Sequence, residues 1–294
     1  MKRVLVTPGA AWLALTAALC TGAILEALIV SESGGLGVGT AWSAAIDWQP
    51  GRALSQPWRL WTCAWVHWSV AHLGVNLLGA AVVGALGWRA RVPRAGALAW
   101  FVAWPLTHLL MAPPGSGRLA QTLLHYGGLS GVLHAGVVVL ALSLAWPRGL
   151  ARAAAGRGGV RAEPSFDATR ASSIEPSRIT EGPWAMTTLE ELSSATAAMP
   201  LSTLDGPSSA SMPLSGLTRE QALRHRWVGV AILAGTVAKV LLESPWNPAL
   251  RPNALLGIAV APLAHACGIA AGAAAWAVVG LGQRLLRGQE RAPD

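Results

Sequence analysis

The sequence predicts an all-α polytopic membrane protein with six spans. Hydrophobic residues make up 53% of the 294 residues and charged residues only 12%, whereas soluble domains are about 25% charged. The mean hydropathy is +0.45, and several apolar runs match the length of about 20 residues that a helix needs to cross a bilayer. The net charge of +8 does not indicate nucleic-acid binding, because the arginines lie at the ends of the apolar runs, as membrane topology requires.

Six apolar runs define the predicted spans. They cover residues 9–30, 63–87, 95–111, 128–146, 227–242 and 256–280. The first run follows Lys2 and Arg3 as a signal peptide would, but it is longer than the usual apolar region of such a peptide, so we interpret it as a retained span. The runs predict an N-terminal tail at residues 1–8 and a first block of four spans at 9–146. An insertion at 147–226, a second block of two spans at 227–282 and a basic C-terminal tail at 283–294 follow.

The basic residues at the span ends predict the orientation of the chain. Arginine and lysine cluster at one set of ends: Lys2, Arg3, Arg89, Arg91, Arg94, Arg148, Arg152, Arg157, Arg161, Arg219, Arg224, Arg226, Arg284, Arg287 and Arg291. The opposite loops carry fewer basic residues, namely Arg52, Arg59, Arg118 and Arg251. By the positive-inside rule both termini are cytoplasmic, and spans two, four and six run from the outside to the inside.

The insertion at residues 147–226 is rich in Ala, Ser, Thr, Pro, Gly and Arg. Such a composition cannot bury a core, which predicts disorder in the cytoplasm. Near its end, Thr218 and Gln221 match a capping box, so we expect the fifth helix to begin before the membrane. Regulation or partner docking is one interpretation of the insertion, and a tolerated insertion is the other.

Four polar residues stand out inside the predicted spans, where polar groups are costly and usually face a bundle interior or a cavity. They are His72, Asn76, Ser130 and His265. At 1.5 Å per residue, His72 and Ser130 lie about 24 Å, and His265 about 27 Å, from the cytoplasmic ends of their spans. Since the hydrocarbon core is about 30 Å thick, the three side chains are expected at one depth, close to the outer surface. Asn76 lies one turn below His72 on the same helix face.

Small residues accompany the candidate serine and histidine. Glycines flank Ser130 at three positions, Gly127, Gly128 and Gly131, where they allow a tight turn. In "AHACGIAAG", His265 shares a helix face with Gly268 and Gly272, and such a face lets a second helix approach closely. We therefore expect spans four and six to bring Ser130 and His265 together.

A serine beside a histidine base can act as a nucleophile at neutral pH. Attack on a carbonyl also requires donors directed at the developing oxyanion, and the Ser130 amide with the His72 and Asn76 side chains could supply them. Each residue alone also has a structural interpretation. A helical serine bonds its own backbone, an intramembrane histidine packs, and an asparagine bonds a neighbouring helix.

Four segments together resemble the rhomboid intramembrane serine proteases. They are "WRLWT" at residues 58–62, "HWSVAHLGVN" at 67–76, "GLSG" at 128–131 and "AHACGIAAG" at 264–272, in the order that the family shows. The resemblance implies a six-helix rhomboid-like bundle with Ser130 as nucleophile and His265 as general base and acid, a dyad without a carboxylate. It also implies that His72 and Asn76 form the oxyanion hole beside Gly128 and Gly131. It implies no metal and no cofactor.

The sequence departs from the rhomboid pattern at two positions. Cys63 replaces a frequent histidine, and His134 replaces a tyrosine that packs on the catalytic histidine in many rhomboids. The His134 departure resembles the rhombosortase branch, in which Lys239 and Glu243 are also at home, although at i, i+4 they could simply pair. His67 matches a recurrent histidine that we expect to be structural. The branch implies a protein of the bacterial inner membrane that processes secreted proteins with a C-terminal Gly-Gly motif, an apolar span and a basic end.

Other functions are compatible with parts of the sequence. A catalytically inactive rhomboid relative that binds membrane clients usually lacks the serine or the histidine, and this chain has both. A metal transporter or metalloprotease could use the chain's histidines, but no H-E-x-x-H motif is present. A soluble serine hydrolase would need the second glycine of G-x-S-x-G, which "GLSGV" lacks. The partners that the resemblance implies are the lipid bilayer and a membrane-anchored protein substrate with its own transmembrane segment.

Overall fold

A computed structural model describes residues 7–32, 36, 40–111, 123–146, 219–247 and 250–289. These residues are mostly helical. Among them, four helices are long and apolar enough to cross a membrane, Ala10–Glu32, Val70–Arg89, Glu220–Leu242 and Pro262–Leu286. The prediction of a helical membrane protein is confirmed at this level.

The elements follow one another in a simple order. The helices are α1 (Ala10–Glu32), α2 (Ala41–Ile46), α3 (Arg59–Thr62), α4 (Val70–Arg89), α5 (Arg94–Leu110), α6 (Ser130–Ala145), α7 (Arg219–Leu242) and α8 (Pro262–Gln289). A single 3₁₀ turn, Cys63–Trp65, follows α3. The strands β1 (Arg251–Asn253) and β2 (Ile258–Val260) lie between α7 and α8. With 17 and 16 residues, α5 and α6 are shorter than the four long helices.

The second span begins later than the sequence predicted. Its helix was expected from residue 63, but residues 59–65 form the short α3 and the 3₁₀ turn, and α4 begins at Val70. The Ser69 side chain accepts a hydrogen bond from the His72 amide, an N-cap that satisfies one of the free N–H groups at the start of a helix. The same hydroxyl donates to the Leu256 carbonyl at 2.5 Å. This bond connects the start of α4 to the turn between β1 and β2.

A short antiparallel hairpin that the sequence analysis did not predict lies between the last two helices. The sixth span was expected from residue 256, but β1 and β2 form an antiparallel hairpin and α8 begins at Pro262. Gly257 adopts a φ of +63° in the hairpin turn, a conformation that glycine adopts without steric cost. Proline is favoured at a first helical position because its missing N–H would be unpaired there in any case.

The fifth helix begins before the predicted span, as the capping-box pattern indicated. Residues 219–226, assigned to the insertion from composition, belong to α7. Thr218 and residues 147–217 lie outside the described residues, so the disorder of the insertion stays a prediction. At the other end of the chain, α8 continues to Gln289 into the predicted tail.

Helix α6 packs against α4, α5, α7 and α8, and most of its side chains are buried. Its contact with α8 depends on small residues. A Cβ added to Gly268 would lie 2.1 Å from the Gly131 carbonyl oxygen, and one added to Gly272 would lie 2.6 Å from that of Ala135. The small-residue face of α8 therefore packs closely on α6, as the sequence predicted.

Candidate active site

The predicted polar residues meet where three helices begin. Ser130 is the first residue of α6, and His72 and His265 lie in the first turns of α4 and α8. Together with Asn76 they line a cavity of about 890 Å³, which we call the site cavity. Its lining also includes apolar residues, among them Val75, Leu78 and Val82 of α4 and Ala231, Ile232 and Gly235 of α7.

The backbone before Ser130 is shaped by Gly128. Its φ is +128°, a region that residues with a side chain rarely adopt. A Cβ at Gly128 would also lie 2.8 Å from Nε2 of His72 and 3.8 Å from Nδ2 of Asn76. The absent side chain therefore allows the His72 ring to approach the backbone before Ser130, whereas Asn76 would make only an ordinary contact with an added Cβ.

His72 and Asn76 are buried on one face of α4. Nδ2 of Asn76 donates to the His72 carbonyl at 3.1 Å. An amide nitrogen carries two hydrogens, so this bond leaves one donor for another acceptor. The ring of His67 lies 4.8 Å from that of His72, and Nδ1 of His67 donates to the Trp65 carbonyl at 2.8 Å. His67 therefore supports the start of α4, as expected for a structural residue.

Ser130 has an aromatic neighbour that the sequence did not indicate. The Tyr126 hydroxyl lies 3.4 Å from Oγ of Ser130. Burial raises the pKa of Tyr126 above its ordinary value, so the phenol remains protonated and able to donate. Within the described residues, no hydrogen bond joins Oγ of Ser130 to His265. Such bonds are often long before a substrate binds.

Tyr126 is held by Trp48, which lies between α2 and α3. Its backbone exchanges two hydrogen bonds of 2.9 Å with Trp48. Beside this bridge, the buried carboxylate of Asp47 binds Nη1 of Arg59 at 3.0 Å and Nδ1 of His125 at 2.5 Å. The carbonyl of Cys63 accepts from the Gly128 amide at 3.0 Å. The "WRLWT" segment and Cys63 thus stabilise residues 125–128, which precede Ser130.

His265 binds a carboxylate that the sequence analysis did not assign to it. Its Nδ1 lies 2.7 Å from Oε2 of Glu243, the residue that follows α7. A carboxylate only accepts, so Nδ1 carries the hydrogen and Nε2 of the neutral ring keeps its lone pair. Burial alone would raise the pKa of Glu243, but hydrogen bonds from His265 and Lys239 lower it to about 2. Glu243 is therefore ionised at neutral pH.

His134 lies against His265 as the ring-packing partner that the resemblance implies. The ring centroids are 4.3 Å apart and the planes differ by 19°. Nδ1 of His134 lies 2.7 Å from the Ser130 carbonyl, and Nε2 lies 3.0 Å from Nζ of Lys239. A carbonyl only accepts and an ammonium only donates. These two partners therefore hold His134 neutral, with its hydrogen on Nδ1.

Lys239 joins the two histidines to the carboxylate. Its Nζ lies 2.9 Å from Oε1 of Glu243, as the i, i+4 spacing predicted. It also lies 3.5 Å from Nδ1 of His265. Nζ of Lys239 and Nδ1 of His265 both carry hydrogens, so neither can accept a hydrogen bond from the other. Lys239 therefore acts on the His265 ring as a nearby positive charge.

Sequence reasoning missed Tyr126, and it named Glu243 only as a residue that fits the rhombosortase branch, without a role beside His265. A signal existed for Glu243, because it is an acidic residue at the outer end of a predicted span, one helical turn from Lys239. In the described part of the chain, no group of three or more His, Cys, Asp or Glu side chains is arranged to hold a metal ion. Comparison of the whole chain with known protein families, with curated proteins and with solved structures finds no match.

Proposed function

We propose that this protein is an intramembrane serine endopeptidase of the rhomboid type. The observation that carries the proposal is the convergence of Ser130, His265, His72 and Asn76 on one cavity between apolar helices. In this proposal α5 and α6 complete a six-span bundle with the four long helices. The positive-inside rule then puts the starts of α4, α6 and α8 at the outer side of the cell membrane, with both termini cytoplasmic.

The first half of the proposed reaction forms an acyl-enzyme. Oγ of Ser130 attacks the peptide carbonyl carbon while Nε2 of His265 takes the hydroxyl proton. The carbonyl oxygen becomes an oxyanion, and we assign its stabilisation to His72, Asn76 and the Ser130 amide. That amide has no acceptor within its own helix, because it lies in the first turn. The intermediate collapses as the C–N bond breaks, and His265 gives its proton to the leaving amine.

The second half regenerates the enzyme. Water attacks the acyl carbon, and Nε2 of His265 takes one of its protons. Collapse of the second intermediate breaks the bond to Oγ of Ser130, which regains the proton from His265. The products are a new carboxylate and a free serine, so the cycle needs no metal or cofactor.

The apolar part of the site cavity supports a membrane-anchored substrate. Val75, Leu78 and Val82 on α4 have half or more of their surface exposed, and they face a groove shared with α7. An apolar helix could enter this groove with its outer end directed to Ser130. The resemblance to the rhombosortase branch identifies the expected class as secreted bacterial proteins whose C-terminal tail carries Gly-Gly, an apolar span and a basic end.

A fluorophosphonate probe tests the proposed nucleophile directly. The purified protein in detergent should react at Ser130, and Ser130→Ala should abolish the labelling. Ser143→Ala is the matched control, because Ser143 lies in the same helix and its hydroxyl donates to the Val139 carbonyl. Labelling that survives Ser130→Ala, or no labelling of the wild type, would contradict the proposal.

Co-expression with a Gly-Gly-tailed protein tests the substrate class. We expect a shortened product whose new C-terminus, measured by mass spectrometry, lies near the Gly-Gly motif. A rhomboid-like binder without activity would retain the uncut protein in a complex, and this outcome would favour the chaperone alternative.

A further inference from the structure

We infer that Glu243 is a positioning residue that completes a Ser130–His265–Glu243 triad. The inference rests on the proposed function, and it replaces the expected dyad with a three-residue unit. It is carried by the 2.7 Å contact between Oε2 of Glu243 and Nδ1 of His265. Both residues line the site cavity together with Ser130.

The carboxylate of Glu243 is held at both oxygens. Oε2 accepts from His265, and Oε1 accepts from Lys239 at 2.9 Å. A carboxylate bound at two oxygens cannot rotate freely, so the direction of its bond to the ring is defined. Such an orienting partner is what a histidine base needs, because the wrong tautomer presents a hydrogen instead of a lone pair to the nucleophile.

The backbone directly after Glu243 fixes the position of this residue at the end of α7. Ser244, the next residue, has a φ of +53°, and a residue other than glycine adopts this left-handed conformation only when its surroundings require it. The Ser244 amide donates to the Leu241 carbonyl at 3.0 Å, which closes the last turn. The chain therefore leaves the helix directly after Glu243, whose side chain stays beside the first turn of α8.

Glu243 also balances charge around the base. The titratable side chains that line the site cavity with His265 are Lys239 on α7, Glu243 directly after it, His134 on α6, His72 on α4, and His125 and Tyr126 before α6. Among these, Lys239 brings a positive charge within 3.5 Å of Nδ1 of His265, and His134 is neutral by its two hydrogen bonds. When His265 takes the serine proton it becomes a cation, and the Glu243 carboxylate stabilises that cation beside Lys239.

Nitrogen NMR of the ¹⁵N-histidine-labelled full-length protein tests the orientation without a substrate. The His265 signal is identified by its loss in His265→Ala. We expect the Nδ1–H form in the wild type and a shift towards the Nε2–H form in Glu243→Gln, because an amide can donate to Nδ1 where a carboxylate cannot. Glu243→Asp should retain the Nδ1–H form.

Kinetics with a cleavable substrate give the second readout. Glu243→Gln should lower kcat by about 10²- to 10⁴-fold, since the loss of the orienting carboxylate in a serine triad costs up to about 10⁴. KM should change by less than about threefold, and Glu243→Asp should recover a substantial part of kcat. Glu220→Gln is the matched control, because Glu220 forms an exposed i, i+4 pair with Arg224 on the same helix; it should leave both readouts unchanged.

Two results would overturn the triad. One is a His265 ring that keeps the Nδ1–H form in Glu243→Gln, and the other is a kcat for that variant within about threefold of the wild type. If wild-type Ser130 does not react with the probe, the proposed function fails. The tautomer measurement then still decides whether Glu243 orients His265, so the two failures are distinguishable.

Discussion

Ser130 and His265 differ in how firmly their surroundings hold them. The His265 ring is bound at Nδ1 by Glu243 and covered on one face by His134. Among the described residues, the Ser130 hydroxyl has one side chain within hydrogen-bonding distance, Tyr126 at 3.4 Å. A fixed base and a less restrained nucleophile suit a site in which the substrate brings the serine into its reactive position.

Ser130→Ala and His265→Ala should each abolish proteolysis while the protein still inserts into the membrane. The two residues act as one unit, and such effects are not additive, so the double variant should be hardly slower than either single one. Turnover of a tailed substrate by the purified variants checks this expectation. Substantial turnover by Ser130→Ala would rule out the proposed nucleophile.

Asn76→Ala should slow cleavage less severely. Removing one oxyanion donor typically costs about 10²- to 10³-fold in kcat, and His72 and the Ser130 amide remain as donors here. The loss should appear in kcat with little change in KM. If Asn76→Ala were as inactive as Ser130→Ala with its helices intact, Asn76 would need a role other than shared oxyanion binding.

Sequence reasoning identified the polar residues that lie in apolar runs, where burying a polar side chain in the membrane is costly. His72, Asn76, Ser130 and His265 interrupt apolar runs, so their polarity alone marks them. The contact between Glu243 and His265 could not be identified in this way, because it depends on the hairpin that separates α7 from α8. Glu243 lies at a predicted membrane surface, where an acidic residue is ordinary.

At the scale of elements, the residues that shape the site lie at the starts of helices. Ser69 caps α4, Gly128 turns the chain into α6, and Pro262 begins α8. Hydropathy alone placed the second and sixth spans too early, because Cys63–Trp65 and Ile258–Val260 are apolar yet form a 3₁₀ turn and a strand. Apolar character reports burial or lipid contact, and it does not report backbone conformation.

Gly268→Ala should separate α6 from α8 and lower both stability and activity. The added methyl group would lie 2.1 Å from the Gly131 carbonyl oxygen, and this backbone atom can move only if a helix moves. Overpacking of this kind costs about 1–3 kcal/mol. Thermal unfolding in detergent and cleavage rate measure the two effects.

Gly282→Ala provides the control for that substitution. Gly282 lies in the same helix, and nothing lies within 4 Å of its added Cβ. Alanine is the better helix former by up to about 1 kcal/mol, so this variant should be as stable as the wild type or slightly more so. Equal destabilisation by Gly268→Ala and Gly282→Ala would show that the α6–α8 contact does not depend on glycine.

At the scale of the whole molecule, a hydrolase in a membrane must solve a problem of water access. Peptide hydrolysis consumes water, and the hydrocarbon core contains almost none. In the proposed orientation the helix starts that carry His72, Ser130 and His265 lie at the outer side of the membrane. His125 and Asn253 also line the site cavity. Irregular backbone, such as residues 123–129 before α6, is tolerated at membrane depth only where protein or a wet cavity surrounds it.

This arrangement predicts where a substrate is cut. A substrate helix must unwind near the cleaved bond, because its carbonyls are otherwise hydrogen-bonded, and residues of poor helix propensity, glycine above all, lower that cost. We therefore expect cleavage at small residues near the outer end of a substrate span that runs from outside to inside. Replacing those residues with Leu should slow cleavage more than the same change deeper in the span, as measured by mass spectrometry of the products over time. A cut in the cytoplasmic half of the substrate, or a rate indifferent to the residues at the cut, would contradict both the orientation and the depth proposed for Ser130.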